Sequence, residues 1–205
     1  MSPLDVRYPV MEHFHTLQGE GRWTGAAAYF VRLGGCDVGC VWCDVKESWP
    51  QDAHPKMSVG EIVETVRNAQ SAYNIVVITG GEPAMHDLGP LTEELKAAGC
   101  RTHVETSGVY PLTGRWDWVC FSPKKFKPPH DSTYDSADEL KVVVYHPSDL
   151  AWAESHAARC RPGALLYLQP EWSRHDETAR WIVDYVKKHP QWRLSLQTHK
   201  FVGIP

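Results

Sequence analysis

At 205 residues, with 42% hydrophobic and 22% charged side chains, the chain can bury one substantial core and calls for no second domain, so a single domain over residues 1–205 is expected. Its formal charge of −4 builds no broad basic surface and excludes phosphate-backbone binding as the main task, so no nucleic-acid partner is expected. The opening MSPLDVRYPVMEHF has no apolar core behind a basic start, and no run approaches the roughly 18 apolar residues of a membrane span; the expectation is a cytoplasmic protein with no membrane partner. There, six cysteines read as free, metal-binding or catalytic rather than disulfide-bonded.

Ala27–Leu33 is predicted as a strand ending at Gly34-Gly35. Ser58 and Glu61 form a capping-box pair ahead of a helix whose apolar face is Val59, Ile62, Val63 and Val66. Ile75–Thr79 is an apolar run of the buried parallel kind. Asp87 and Pro90 start a second helix carrying Leu91 and Leu95, and Gly99 stops it. Strands follow at Arg101–Glu105, Trp118–Phe121, Leu140–Tyr145 and Ala164–Leu168, with Ser122–Ala137 left as a long loop, a flexible insertion or a functional lid. A helix over Asp176–His189 presents Trp181, Ile182, Tyr185 and Val186 on one face and ends before Pro190; Trp192–Leu196 is the last strand. This alternation predicts an α/β fold, an open, partial TIM-like barrel of about six mostly parallel strands, with its chemistry at their C-terminal ends. Most of the nine tryptophans read as packing rings; Trp42 and Trp172 stand out by position.

Cys36, Cys40 and Cys43 lie in a loop directly after a strand, among glycines at 34, 35 and 39 that allow tight folding. Thiolates suit iron–sulfur clusters and zinc. A structural zinc site would need a fourth ligand from outside the run, and no second close cysteine pair is present. A thioredoxin-like use of Cys40 and Cys43 leaves Cys36 idle. Cys100, Cys120 and Cys160 are isolated and read as small buried hydrophobes. Three thiols on a cubane leave one iron open for a cofactor or substrate.

Cys36, Cys40, Trp42 and Cys43, spaced C-x3-C-x-aromatic-C, resemble the signature of the radical S-adenosylmethionine (SAM) superfamily. The resemblance implies a 4Fe–4S cluster whose open iron binds SAM, and reductive cleavage to methionine and a 5′-deoxyadenosyl radical. Thr79-Gly80-Gly81-Glu82-Pro83 resembles the superfamily's GGEP motif, Glu105-Thr106-Ser107-Gly108 a polar SAM position, and Lys124 of Ser122-Pro123-Lys124 a cation for the SAM carboxylate.

The segment Leu17-Gln18-Gly19-Glu20-Gly21, with these motifs, Gln169-Pro170 and Gln197-Thr198-His199-Lys200, resembles the 7-carboxy-7-deazaguanine synthases over nearly the whole chain. That implies ring contraction of 6-carboxy-5,6,7,8-tetrahydropterin with loss of ammonia, in 7-deazapurine and queuosine biosynthesis, with SAM regenerated and magnesium assisting. SAM would contact Trp42, Cys43, Asp44, Gly81, Ser122, Pro123, Lys124, Gln169, Pro170, Glu171 and Trp172. The pterin would contact Leu17, Gln18, Gly19, Glu20, Arg32, Thr79, His199 and, through a terminal carboxylate, Pro205. Val45 departs from the pattern: it stands where the family usually has a hydroxyl ligand for magnesium and cannot ligate. A flavodoxin or ferredoxin would supply electrons, and the family resemblance implies a homodimer. The competing readings are another small radical SAM enzyme, such as a glycyl-radical activase, and a zinc-stapled binding module.

Overall fold

The computed structural model describes residues 2–69 and 74–205. The strands are β1 (Arg7–Leu17), β2 (Ala27–Leu33), β3 (Lys56–Ser58), β4 (Ile75–Gly80), β5 (Arg101–Thr106), β6 (Trp118–Phe121), β7 (Glu139–Val144), β8 (Leu165–Pro170) and β9 (Trp192–Leu194). They form one sheet in the order β3-β1-β2-β4-β5-β6-β7-β8-β9. From β2 through β4 to β9 every neighbouring pair is parallel; β1 runs antiparallel to both β2 and β3. Among the described residues, β3 and β9 each have a neighbour on one side only, so the barrel is open.

Six α-helices accompany the sheet among the described residues: α1 (Val59–Asn68), α2 (Gly89–Ala97), α3 (Ser132–Ser136), α4 (Ser148–Ala157), α5 (His175–Lys188) and α6 (Thr198–Val202). The α1 cap forms as its sequence predicts. Ser58 Oγ accepts from Glu61 N at 3.2 Å, and the Glu61 carboxylate accepts from Ser58 N at 2.6 Å. In α5, Asp176 and Glu177 occupy the first turn and Lys187 and Lys188 the last, matching the helix dipole.

The period-two alternation of the strands divides the molecule into an outside and an inside. Tyr29, Val31 and Leu33 of β2 and Val76 and Ile78 of β4 join Ile62, Leu91 and Leu95 of α1 and α2 in one core. Leu140, Val142 and Val144 of β7 and Leu168 of β8 join Ala153 of α4 and Ile182 of α5 in another. The opposite faces turn inward. Ala28, Ile75 and Val77 pack there with Phe30 and Trp23. The Trp23 ring lies 5.1 Å from that of His103 and 5.7 Å from that of Trp118, with the Arg101 guanidinium 4.6 Å from its centre. These rings floor the barrel.

Residues 195–205 cross the open seam. Thr198 N and Oγ1 donate to Gly19 O at 2.9 and 3.0 Å, and Thr16 Oγ1 donates to Pro205 O at 3.1 Å. Gly21 N donates to Ser195 Oγ at 3.0 Å.

The sequence reading lacks β1, β3, α3, α4 and α6. In β1, Pro9, Glu12, His13 and His15 hide the strand pattern, and a register shift between Val10 and Glu12 breaks its alternation. In α4 the buried positions are Asp149, Ala153 and His156, so no apolar stripe marks it. The 122–137 segment is packed rather than free-standing: Thr133 and Tyr134 are buried, and His130 N and Thr133 Oγ1 donate to Gly108 O at 2.7 and 3.1 Å.

Candidate active site

A cavity of 270 Å³ opens at the C-terminal ends of the parallel strands. One wall is the cysteine loop after β2. Its main chain is held at both sides: Gly35 N donates to Ser48 O at 2.7 Å, Cys36 N to Trp49 O at 3.1 Å, and Glu82 N to Gly35 O at 2.8 Å. The glycine pair Gly80-Gly81 at the end of β4 makes this approach possible. A Cβ on Gly81 would stand 2.4 Å from Gly35 O and 2.7 Å from Cys36 Cβ. One on Gly80, at φ 144°, would stand 2.1 Å from Leu33 O. Gly81 therefore accommodates the cysteine loop itself, and Gly80 the end of β2 from which that loop springs. Glu82 then locks the turn: its buried carboxylate accepts from Thr106 Oγ1 at 2.5 Å, Ser107 N at 2.8 Å, Ala84 N at 3.0 Å and the Ser107 hydroxyl.

Cys36, Cys40 and Cys43 all line the cavity. Burial pushes the Cys40 thiol up to about 11; the Lys124 ammonium opposes this, and Cys43 and Cys36 add to it. Burial raises Cys36 as well. Cys36 and Cys40 thus hold their protons until a metal displaces them. Cys100 and Cys120 are buried and Cys160 is partly buried, none of them lining the cavity, so the cavity offers a three-thiol set. That donor set fits a four-iron cluster with one iron left for a non-protein ligand. Among the described residues, no three His, Cys, Asp or Glu side chains gather as a site for a single metal ion.

Around the loop, Asp37 takes bonds from Tyr110 Oη at 2.5 Å and Lys127 Nζ at 2.6 Å. Lys124 Nζ donates to Ser122 O and Oγ at 2.7 and 2.6 Å and stands 5.6 Å from the centre of the Trp42 ring. Burial lowers the Lys124 pKa, with Cys40 opposing. Gln169 Oε1 accepts from Ser195 Oγ at 2.8 Å, and the Glu171 carboxylate accepts from Ser173 N and Oγ at 3.1 and 2.6 Å. Trp172 is no core residue: it is 40% exposed, and its ring meets Phe201 at 5.4 Å and Lys200 Nζ at 5.0 Å, both from α6.

The facing wall is polar. Gln18, Glu20, Glu105 and Lys141 line it together with Gln197 and His199. Glu20 is held well below the usual carboxylate range: burial opposes this, but Lys141 and the bond from Gln197 outweigh it. His199 is pushed down by burial against the pull of Glu20. Arg32 lies on β2, an interior strand rather than an edge, and its Nε donates to Glu12 at 2.6 Å. Leu17, Gly19, Thr79, Gly81, Asp44, Ser122, Pro170 and Pro205 also line the cavity. Of the site residues predicted from sequence, only Pro123 does not; it is buried behind the wall.

The radical SAM superfamily model matches residues 30–121. Over 96% of its length the chain is 53% identical to a 7-carboxy-7-deazaguanine synthase of Flavobacterium psychrophilum, covering 92% of that protein. It is 52% identical to the synthase of that name from Synechocystis, covering 98% of this chain and 95% of the other. The chain belongs to the 7-carboxy-7-deazaguanine synthase family. The crystal structure of QueE from Escherichia coli superposes with a TM-score of 0.85 at 34% identity, covering 94% of this chain and 95% of that one.

This synthase-family chain keeps Val45 on the cavity wall, an apolar side chain. The next hydroxyl, Ser48, is buried and donates to Val45 O at 2.7 Å. Sequence reasoning missed Lys141 as a site residue. Its signal was a lysine at an inward position of a strand that is otherwise apolar from Leu140 to Val144, which a buried partner has to balance. Glu105 was visible only as the start of ETSG.

Proposed function

We propose that this chain converts 6-carboxy-5,6,7,8-tetrahydropterin into 7-carboxy-7-deazaguanine and ammonia, for 7-deazapurine and queuosine biosynthesis. The observation that carries this reading is the convergence of three cluster-type thiols and a polar, nitrogen-reading wall on one cavity. The conversion loses ammonia and nothing else, so it is redox-neutral and lets SAM be regenerated. When bound, the cluster and SAM supply one-electron chemistry that removes a hydrogen atom from the substrate.

Cys36, Cys40 and Cys43 hold the cluster. Gly81, Ser122, Lys124, Gln169 to Trp172 and Trp42 to Asp44 form the SAM side; Pro123 is withdrawn from direct contact. Leu17, Gln18, Gly19, Glu20, Arg32, Thr79, His199 and Pro205 form the pterin side, with Arg32 taking the substrate carboxylate through paired hydrogen bonds. Magnesium has no protein hydroxyl at position 45 and is bound through substrate and water alone. The chain acts as one domain and as a homodimer, reduced by a flavodoxin or ferredoxin. Among the described residues no helix is long and apolar enough to cross a membrane, and a cytoplasmic site fits a soluble substrate.

The test is an anaerobic assay of the reconstituted protein with SAM, reductant and 6-carboxytetrahydropterin, with and without magnesium. Product formation without stoichiometric SAM consumption is expected. SAM cleavage without the deazaguanine would retain the cluster and sink the substrate assignment.

A further inference from the structure

Lys141 lies at the middle of β7, where Leu140 and Val142 face the helices and Lys141 faces inward. Its side chain is 4% exposed. Nζ donates to Glu105 Oε2 at 2.8 Å and to the Glu20 carboxylate. The other oxygen of Glu105 accepts from Gln18 Nε2 at 2.9 Å, and Gln18 Oε1 accepts from Glu20 N at 3.0 Å. These contacts close a ring of four residues: Lys141, Glu105, Gln18 and Glu20. The ring decides which way the Gln18 amide faces, since its NH2 must meet a carboxylate and its oxygen an N–H. Glu20 carries the ring outward: its second oxygen accepts from Gln197 Nε2 at 2.9 Å. Three remote elements, the turn after β1, strand β5 and the segment after β9, are thereby registered on one ammonium.

Two carboxylates on a buried wall do not both stay ionised without a counter-charge. The other titratable groups facing this cluster are Cys120 on β6, Glu139 on β7, Lys124 beyond β6 and His199 on α6. Glu139 is pushed toward its neutral form by burial and its carboxylate accepts from Arg22 N at 3.0 Å, while burial raises the Cys120 thiol. Lys141 is therefore the cation of this wall: its ammonium is bonded to both carboxylates, and it outweighs the burial that would otherwise raise Glu20.

We propose that Lys141 is a positioning residue: by fixing Glu20 and Glu105 as an anion pair, and Gln18 through them, it sets the face that reads the donor-rich edge of the bound heterocycle. The proposal rests on the pterin reading above. Removing the ammonium leaves the pair to share a proton, which turns an acceptor surface into a mixed one.

The test is Lys141→Met as iron-loaded holoenzyme, with KM and kcat for 6-carboxytetrahydropterin measured from pH 6 to 9. KM is expected to rise about ten- to hundredfold near neutrality, the scale of a lost hydrogen bond to a charged group, and to fall again as pH rises. Wild-type KM stays flat over that range, kcat at saturation changes far less, and SAM affinity is unchanged. Lys141→Arg, which keeps the charge, is expected to keep the flat profile. An unchanged KM, or a raised KM with no pH dependence in Lys141→Met, overturns the proposal. Should that variant not fold, Lys141→Gln combined with Glu105→Gln removes one cation and one anion together; a wild-type KM in it overturns the proposal and a raised one supports it. Infrared spectra of ligand-free holoenzyme separate this from the substrate assignment. A protonated-carboxyl band gained by Lys141→Met supports the anion pair even if the pterin is not turned over, and its absence overturns it.

Discussion

Glu12 and Arg32 face one another across the β1–β2 pair, the Glu12 carboxylate accepting from Arg32 Nε at 2.6 Å. The register shift just before Glu12 creates this pairing by re-aiming the strand. The bond uses Nε and leaves the two terminal nitrogens of Arg32 for a ligand carboxylate. Glu12→Ala is expected to raise KM for the carboxylated pterin by about tenfold while kcat barely moves, because a preorganised guanidinium is lost. Glu12 is partly exposed, so the thermal midpoint should hold; steady-state kinetics with an unaltered KM would remove Glu12 from the binding apparatus.

Gly81→Ala sets a methyl group 2.4 Å from Gly35 O and 2.7 Å from Cys36 Cβ. Neither neighbour is a flexible side-chain end, so the cysteine loop has to shift. The expected loss is about 1–3 kcal/mol of stability, the usual cost of overpacking, with a sharp fall in iron and sulfide per chain after reconstitution. Full iron loading with an unchanged melting temperature would contradict the packing argument.

Glu82→Gln keeps the shape of the clamp but replaces an acceptor-only carboxylate by an amide whose NH2 faces donors. Ser107 N and Ala84 N compete for one remaining oxygen. A loss of about 1–3 kcal/mol is expected from the unpaired buried group, read by denaturant unfolding under anaerobic conditions.

Acid should destabilise the fold before its carboxylates titrate. Burial lowers both His103 and His156 to about 4. An unfolded histidine titrates near ~6.5, so the unfolded chain takes up protons first. The stability contributed by these neutral rings is whole above that value and is lost as pH falls toward 4. The melting temperature should fall steadily across that window, and His103→Phe should flatten part of the slope. A flat curve from pH 6.5 to 4.5 would show that neither ring is held neutral.

Lys200 Nζ reaches Asp44 at 2.8 Å, joining α6 to the residue beside Cys43. Asp44 is more than half exposed, so Lys200→Met should cost well under about 1 kcal/mol in global stability. Chymotrypsin should nevertheless cut the variant faster at Phe201, the exposed ring of α6. Equal cleavage rates would show that this pair does not hold the segment.

What was legible in the sequence follows physical lines. The parallel strands and the helices α1, α2 and α5 announced themselves because a strand or helix with one buried face must repeat its apolar residues at a fixed period. The cysteine and glycine motifs were legible because both residue types are tied to one chemistry or one backbone need. Lys141 was not, because its meaning lies in Glu20 and Glu105, which are remote in sequence and meet it only after folding. Nor was β1, whose bulge and histidines follow from what lies across from it. Gly81 was legible only as part of a motif and a SAM contact; the cysteine loop that its missing side chain accommodates became visible only in the fold.

The open seam lies between β9 and the part of β1 beyond Arg7–Pro9, the stretch that β3 pairs, and residues 195–205 bridge it instead of a strand. A helix of five residues with no buried side chain of its own sits at the low-stability end of any fold. The opposite lip, the cysteine loop, is bonded through its main chain to two neighbouring segments. Backbone amides of residues 198–202 are therefore expected to exchange with solvent faster than those of residues 34–36, so that the two lips of one cavity differ in their local opening free energy.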